Sequence, residues 1–159
     1  MPSTTMPSDS TFIHATAVVM GEAGVVIRGP SGAGKSSLAL GLLAADPMGK
    51  RYVSLVGDDR ISIECRGGRL IARGHPLIAG QIECRGRGIR SFSYEPSAVV
   101  RLIVDIAPSD QVLPRYPESG CSEIVLCGIK VPLLILPRGN AIHESSLAVL
   151  VELAKAREF

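Results

Sequence analysis

Residues Gly29 to Ser36 read GPSGAGKS, between the apolar run AGVVIR (Ala23 to Arg28) and the segment SLALGLLAA (Ser37 to Ala45). The stretch satisfies G-x-x-x-x-G-K-[ST], with Gly29 and Gly34 as its glycines. Glycine reaches positive φ and lets backbone approach a ligand closely, so successive N–H groups can turn inward around an anion. A helix beginning near Lys35 adds its own unpaired N–H groups and its dipole to that cradle. In such a loop the lysine, here Lys35, reaches the β and γ phosphates, and Ser36 offers its hydroxyl to Mg²⁺. Gly29, Pro30, Ser31, Gly32, Ala33, Gly34, Lys35, Ser36 and Ser37 are therefore the candidate nucleotide-binding residues, with a nucleotide's phosphates and Mg²⁺ as the expected ligands.

The neighbouring segments supply the context that such a loop needs. TAVVM, GEAG and VVIR read as a β-hairpin around Glu22 and Gly24. SSLALGLLAA, from Ser36 to about Ala45, has helical composition, and Asp46-Pro47 with Gly49 supply a stop. RYVSLVG then has the length and apolar character of a buried strand, and it finishes at Asp58-Asp59, which completes a βαβ unit. Downstream, ISIEC, RLIAR after a Gly67-Gly68 turn, QIECR, AVVRLIVDI, EIVLCGI and VPLLIL all read as strands. HESSLAVLVELAKAR closes the chain as an amphipathic helix, with Leu147, Leu150, Val151 and Ala154 on one face, Glu144 in the first turn, and Lys155 and Arg157 in the last. The expected fold class is α/β: a P-loop-containing mixed β-sheet with few helices, its ligand at the carboxyl ends of the strands flanking the first helix.

Bulk properties exclude several classes. At 159 residues and 46% hydrophobic the chain can bury one core, so one domain over residues 11–159 is expected behind a disordered tail of residues 1–10, MPSTTMPSDS. A formal charge of only +2 is too small for binding to nucleic acid through bulk charge, and 4% aromatic residues provide few stacking platforms. No apolar run approaches the roughly 20 residues of a membrane span, and the start lacks the pattern of a secretory signal. Cys65, Cys84, Cys121 and Cys127 form no CxxC pair, which fits reduced thiols and a cytoplasmic location.

Two further groups carry chemistry. Asp58-Asp59 stands where a P-loop protein needs an acid to handle its metal, and a second carboxylate can take a proton from an incoming hydroxyl, an effect of about 10²–10⁴ in rate. Spacing alone does not divide those tasks between the two residues. GQIECRGRGIR (Gly80 to Arg90) interleaves arginines with glycines. Arg85, Arg87 and Arg90 match phosphate geometry, Gly86 and Gly88 permit close approach, and Glu83 is a candidate magnesium ligand.

GPSGAGKSSLAL, LVGDDRISIE and GHPLIAGQIECRGRGI occur in that order, and together they resemble the catalytic domain of the HPr kinase/phosphorylase family, whose signature is I-E-x-R-G-x-G-I. The likeness runs from about Phe12 to near the end. It implies a PEP carboxykinase-like nucleotide site and an ATP-dependent kinase that phosphorylates a serine of an HPr-type phosphocarrier of the phosphotransferase system. It also implies a reverse phosphorolysis with inorganic phosphate and a homo-oligomer, hexameric in the family. Family enzymes carry a histidine twenty-one positions before the P-loop lysine, where His14 stands relative to Lys35. The resemblance makes Asp59 the proton acceptor, Ser36 and Glu83 magnesium ligands with Asp58 close to the metal, and Arg115 the match to a later family arginine.

The chain also departs from the family pattern. Almost nothing precedes His14, so it resembles the short, catalytic-domain-only form of alphaproteobacterial type. The family's P-x-R-P-G-R-N segment, tied to dephosphorylation, is reduced to LPRGNA, in which Arg138, Gly139 and Asn140 could form an anion site. His75 and His143 match no family role and are expected at the surface. Competing readings are a nucleotide-binding regulatory module without phosphotransfer, a P-loop small-molecule kinase, and an RNA-binding protein using Arg66, Arg69, Arg73, Arg85, Arg87 and Arg90.

Overall fold

A computed structural model describes residues 12–45, 51–113 and 122–155. The tail of residues 1–10, the stop signal at Asp46, Pro47 and Gly49, and Arg115, Cys121 and Arg157 lie outside the described residues. The strands are β1 (Phe12–Ile13), β2 (Ala15–Met20), β3 (Ala23–Arg28), β4 (Val53–Gly57), β5 (Ile61–Arg66), β6 (Arg69–Gly74), β7 (Gln81–Cys84), β8 (Gly88–Ser91), β9 (Ser97–Ile106), β10 (Ser122–Leu126) and β11 (Ile129–Leu136). Helices α1 (Lys35–Leu43) and α2 (Ile142–Lys155) and a 3₁₀ turn (Pro76–Ile78) complete the described residues. The α/β class with a mixed sheet and few helices is thus observed.

The main sheet runs β1-β5-β6-β9-β3-β2-β4, with β11 paired to β9 and β10 to β11. The β3–β9 and β9–β11 pairs are parallel and the other named pairs antiparallel. The expected βαβ unit is present with one difference: β2 lies between β3 and β4 and pairs antiparallel with both. Its amino end therefore lies beside the carboxyl ends of β3 and β4, between the two loops that build the site.

β4 and β5 lie five strand positions apart along this path, about 24 Å if the sheet were flat. Yet only Asp58, Asp59 and Arg60 join them, a link whose ends can be at most about 14 Å apart. The sheet must curl until β4 meets β6. Two glycines permit this: a Cβ on Gly57 would sit 2.9 Å from the Gly74 Cα, and one on Gly74 would overlap the Val56 carbonyl oxygen.

Both faces of β2 and β3 are buried, which is why they read as nearly continuous apolar runs, interrupted within β2 only by Thr16. Val18, Val25 and Ile27 pack toward α1 and α2 with Leu38, Leu42, Leu102, Val104, Val149 and Leu153. Ala17, Val26, Val56, Ile61, Leu70 and Ile103 fill the inside of the curl.

Several local expectations change. The β2–β3 turn is Gly21-Glu22, while Gly24 lies within β3, where a Cβ would stand 2.7 Å from the Val99 carbonyl oxygen of β9. The strand expected over EIVLCGI ends at Leu126, because Cys127 (φ 50°) and Gly128 (φ 77°) make the hairpin turn into β11. On α2 the buried residues are Ser145, Ser146, Val149 and Leu153, whereas Leu147 is 54% and Val151 45% exposed. Of the expected face only Leu150 packs partly against the core, because α1 and α2 cross closely at Gly41, where a Cβ would come within 2.5 Å of Ile142 Cγ2 and 2.8 Å of Ser146 Oγ. Ser145 and Ser146 are buried at that seam, and Leu147 lies two residues, roughly 200° of rotation, from Ser145.

β7 and β8 form a separate two-stranded sheet, a hairpin not foreseen as such. Ile82 anchors it in the helix-side core, and the segment after β8 binds the edge of β4. Leu55 N–H donates to Ser93 O (3.2 Å) and Glu95 N–H to Leu55 O (2.8 Å). The arginine-bearing turn is thereby fixed beside the end of β4. His75 is half-buried rather than a plain surface residue: its ring lies 4.7 Å from that of Phe12, and its Nδ1 accepts from Leu77 N–H.

Candidate active site

The loop after β3 carries Gly32 at φ 75° and Gly34 at φ 102°, left-handed values that a Cβ disfavours. Gly34 is the N-cap of α1, and Leu38 N–H makes the helical bond back to its carbonyl at 2.9 Å. The N–H groups of the first turn are left to point outward, with no acidic residue there to compete with an anion. Lys35 is only 7% exposed, and its Nζ folds back onto the Gly29 and Pro30 carbonyls at 2.9 and 3.0 Å. Burial holds its ammonium below the ordinary lysine range, while the charges of Asp59 and Asp58 pull the other way.

Across the loop, the link from β4 to β5 presents both aspartates. Arg60 N–H donates to Asp58 O at 2.7 Å, and Asp59 between them has φ 67°, which makes a γ-turn of the rare positive-φ kind. Such backbone costs on the order of 1–3 kcal/mol and persists only where its surroundings enforce it. Here the closed seam at Gly57 and Gly74 does so. The turn sends the two side chains different ways. Asp58 is buried, and its Oδ1 accepts from Thr16 Oγ1 (2.7 Å) and Ser36 Oγ (2.8 Å). Asp59 stays largely exposed, and its Oδ1 lies 2.5 Å from Nε2 of His14, the residue between β1 and β2.

These groups line one cleft of about 960 Å³, together with Ser31, Gly32, Gly34, Ser37, Glu83, Arg85, Arg87 and Arg90, and with Leu40, Ile78, Ile89 and Phe92 on its apolar side. Arg138 reaches the loop from beyond β11, its Nη2 3.3 Å from the Gly32 carbonyl, and Arg85 Nη2 approaches the same glycine. Gly86 and Gly88 do not line the cleft. Their φ values of 74° and 76° serve the β7–β8 turn, with open space where a Cβ would stand. Gly29 instead allows close approach to β9, a Cβ there standing 3.1 Å from the Ile106 carbonyl oxygen.

The residues present fit a magnesium nucleotide. Ser36 and Asp58 juxtapose a hydroxyl and a carboxylate, both hard oxygen donors, and Glu83 shares their cleft. Among the described residues no group of three His, Cys, Asp or Glu side chains forms a metal cage. Mg²⁺ keeps waters and phosphate oxygens and takes one or two carboxylates, so it does not require such a cage. Sequence reasoning missed Thr16, whose only signal was a hydroxyl within an otherwise apolar strand.

A glycine loop at a helix N-terminus, facing a pair of carboxylates across a basic cleft, is the site of a P-loop nucleotide-binding protein. The chain matches the family model of the HPr Serine kinase C-terminal domain over residues 6–157 and belongs to that family. An HPr kinase/phosphorylase of Chromobacterium violaceum is 32% identical over 158 residues, which cover 91% of this chain and 46% of the relative. One of Streptococcus thermophilus is 33% identical over 140 residues, covering 82% and 43%. The chain thus spans less than half the length of these curated relatives. The solved structure of the Hpr(Ser) kinase/phosphatase from Coxiella burnetii shares the fold, with a TM-score of 0.77 at 23% identity over 92% of this chain and 99% of that one. No helix of the described residues is long and apolar enough to cross a membrane.

Proposed function

We propose that this domain transfers the γ-phosphoryl group of ATP to a serine hydroxyl of an HPr-type phosphocarrier protein. The observation that carries this reading is the Asp59 carboxylate, held by the γ-turn and His14 at the mouth of the cleft that the P-loop lines. Support also comes from family membership and from the names of the relatives.

The loop N–H groups and Lys35 bind the phosphates, Lys35 exchanging its two carbonyl partners for phosphate oxygens. Ser36, Asp58 and Glu83 are the residues that would hold Mg²⁺. ATP with Mg²⁺ supplies the electrophilic phosphorus and neutralises charge on its oxygens. His14 occupies Oδ1 of Asp59, leaving Oδ2 to accept the seryl proton as that hydroxyl becomes the nucleophile. Arg85 and Arg138, gathered at Gly32, are placed to bind the anion that forms. The same placement supports phosphorolysis by inorganic phosphate, with Asp59 returning the proton to the serine. A cytoplasmic homo-oligomer, hexameric by resemblance, completes the proposal.

Purified protein incubated with radiolabelled ATP, Mg²⁺ and an HPr-type carrier should place label on a carrier serine, and Asp59→Asn should abolish it. Tight ATP binding with no labelled carrier would overturn the kinase reading in favour of a nucleotide-dependent regulatory module.

A further inference from the structure

Thr16 lies in β2 at the end that meets the carboxyl ends of β3 and β4, paired to Ile27 and next to the Ala17–Gly57 pair. Its neighbours alternate: Ala15, Ala17 and Val19 enter the inner core, while Val18 and Met20 pack toward α1. Thr16 shares the second parity, so its side chain rises under the start of α1. It is 0% exposed. A valine would fill the same volume, so packing alone does not call for the hydroxyl, and a buried hydroxyl is costly unless it finds a partner.

The partner is informative. Thr16 Oγ1 and Ser36 Oγ both donate to Oδ1 of Asp58, at 2.7 and 2.8 Å, which uses both lone pairs of that oxygen. Oδ2 accepts from none of the described residues, and Asp58 borders the cleft. Three elements meet in this chain: β2 supplies Thr16, the β4–β5 link Asp58, and α1 Ser36. Ser36 is itself a cation ligand on the kinase reading, and cannot be the fixed point of the arrangement. Thr16 can, because its hydroxyl sits on a fully buried strand residue enclosed by packed neighbours.

We propose that Thr16 is a positioning residue for the divalent cation: it anchors Oδ1 of Asp58 from beneath, so that Oδ2 and the Ser36 hydroxyl are presented together toward the metal. The inference rests on the kinase reading only in taking Ser36 and Asp58 as the residues that face the cation.

The test uses the full chain with a non-hydrolysable ATP analogue, reading Mn²⁺ binding by electron paramagnetic resonance and nucleotide affinity in EDTA. Thr16→Val and Thr16→Ala should weaken Mn²⁺ in the ternary complex roughly 10–100-fold, the usual effect of losing a residue that orients a metal ligand. Nucleotide affinity in EDTA should be unchanged in both, and Thr16→Ser should bind Mn²⁺ nearly as wild type does. Unchanged Mn²⁺ affinity in the folded valine or alanine variant would overturn the proposal. So would equal losses with and without metal, or failure of serine to restore binding. Wild type that binds Mn²⁺ and nucleotide but labels no carrier refutes the kinase reading alone, because the comparison of variants is made in binding.

Discussion

Replacing Gly74 by alanine places a methyl group against the Val56 carbonyl oxygen, at the seam where β4 meets β6. Neither side can yield cheaply, since the obstacle is backbone and Val56 is itself buried. Overpacking of this kind costs about 1–3 kcal/mol, and a backbone obstacle puts it near the upper end. Losing glycine's freedom in the unfolded chain returns about 0.4–1 kcal/mol. The net loss is then about 2 kcal/mol, or roughly 4–8 °C in Tm for a domain of this size. Function should suffer more than stability does. The displaced strand runs straight into Asp58 and Asp59, and a shift of about 1 Å at reacting groups can lower rate about 10²-fold. Circular dichroism melting and a carrier-labelling assay well below both melting temperatures measure the two effects. Gly67→Ala is the control, since at φ 58° it has strain but open space around it and does not line the cleft. It should lose stability and keep its rate. Wild-type Tm and rate in Gly74→Ala would refute the argument that closure of the sheet sets the aspartate pair.

Lys35→Met should weaken ATP-analogue binding at least 10-fold in calorimetry while the fold melts near wild type, because the lysine's present partners are only two loop carbonyls. Asp59→Asn and Asp59→Ala should both abolish carrier labelling, but only alanine should also lower Tm, since asparagine tolerates the left-handed φ of 67°. Because burial lowers the Lys35 pKa, phosphate binding should be present at neutral pH and lost as pH rises through a value below the ordinary lysine range; the alkaline limb of kcat/KM for ATP reports it. The unliganded fold should behave oppositely, since the unfolded chain holds a proton the fold has released, so Lys35's contribution to stability rises over that same interval. Lys35→Met should remove both effects.

The nucleotide loop was legible at once because its geometry is local: the left-handed φ of Gly32 and Gly34, the exposed N–H groups and the lysine all lie within a few residues of one another. Alternating strands, the first helix and the placement of Asp58-Asp59 after a strand were legible for the same reason. His14 entered only through a family spacing, since its contact with Asp59 spans forty-five positions of sequence. The face of α2 that packs inward differs from its most apolar one because the close crossing at Gly41 sets which residues face α1, a demand that hydropathy does not register.

Sequence alone determined that a phosphate cradle forms and that acids stand near it, because short-range backbone preferences decide both. Only the tertiary structure decided how the two acids differ in burial and partners. A sheet whose distant edges are tied by three residues must curl, and the curl forces a left-handed turn that buries Asp58 against Thr16 and Ser36 while turning Asp59 out toward His14. Two identical side chains thereby gain different burial and different partners, and both follow from closure of the whole sheet.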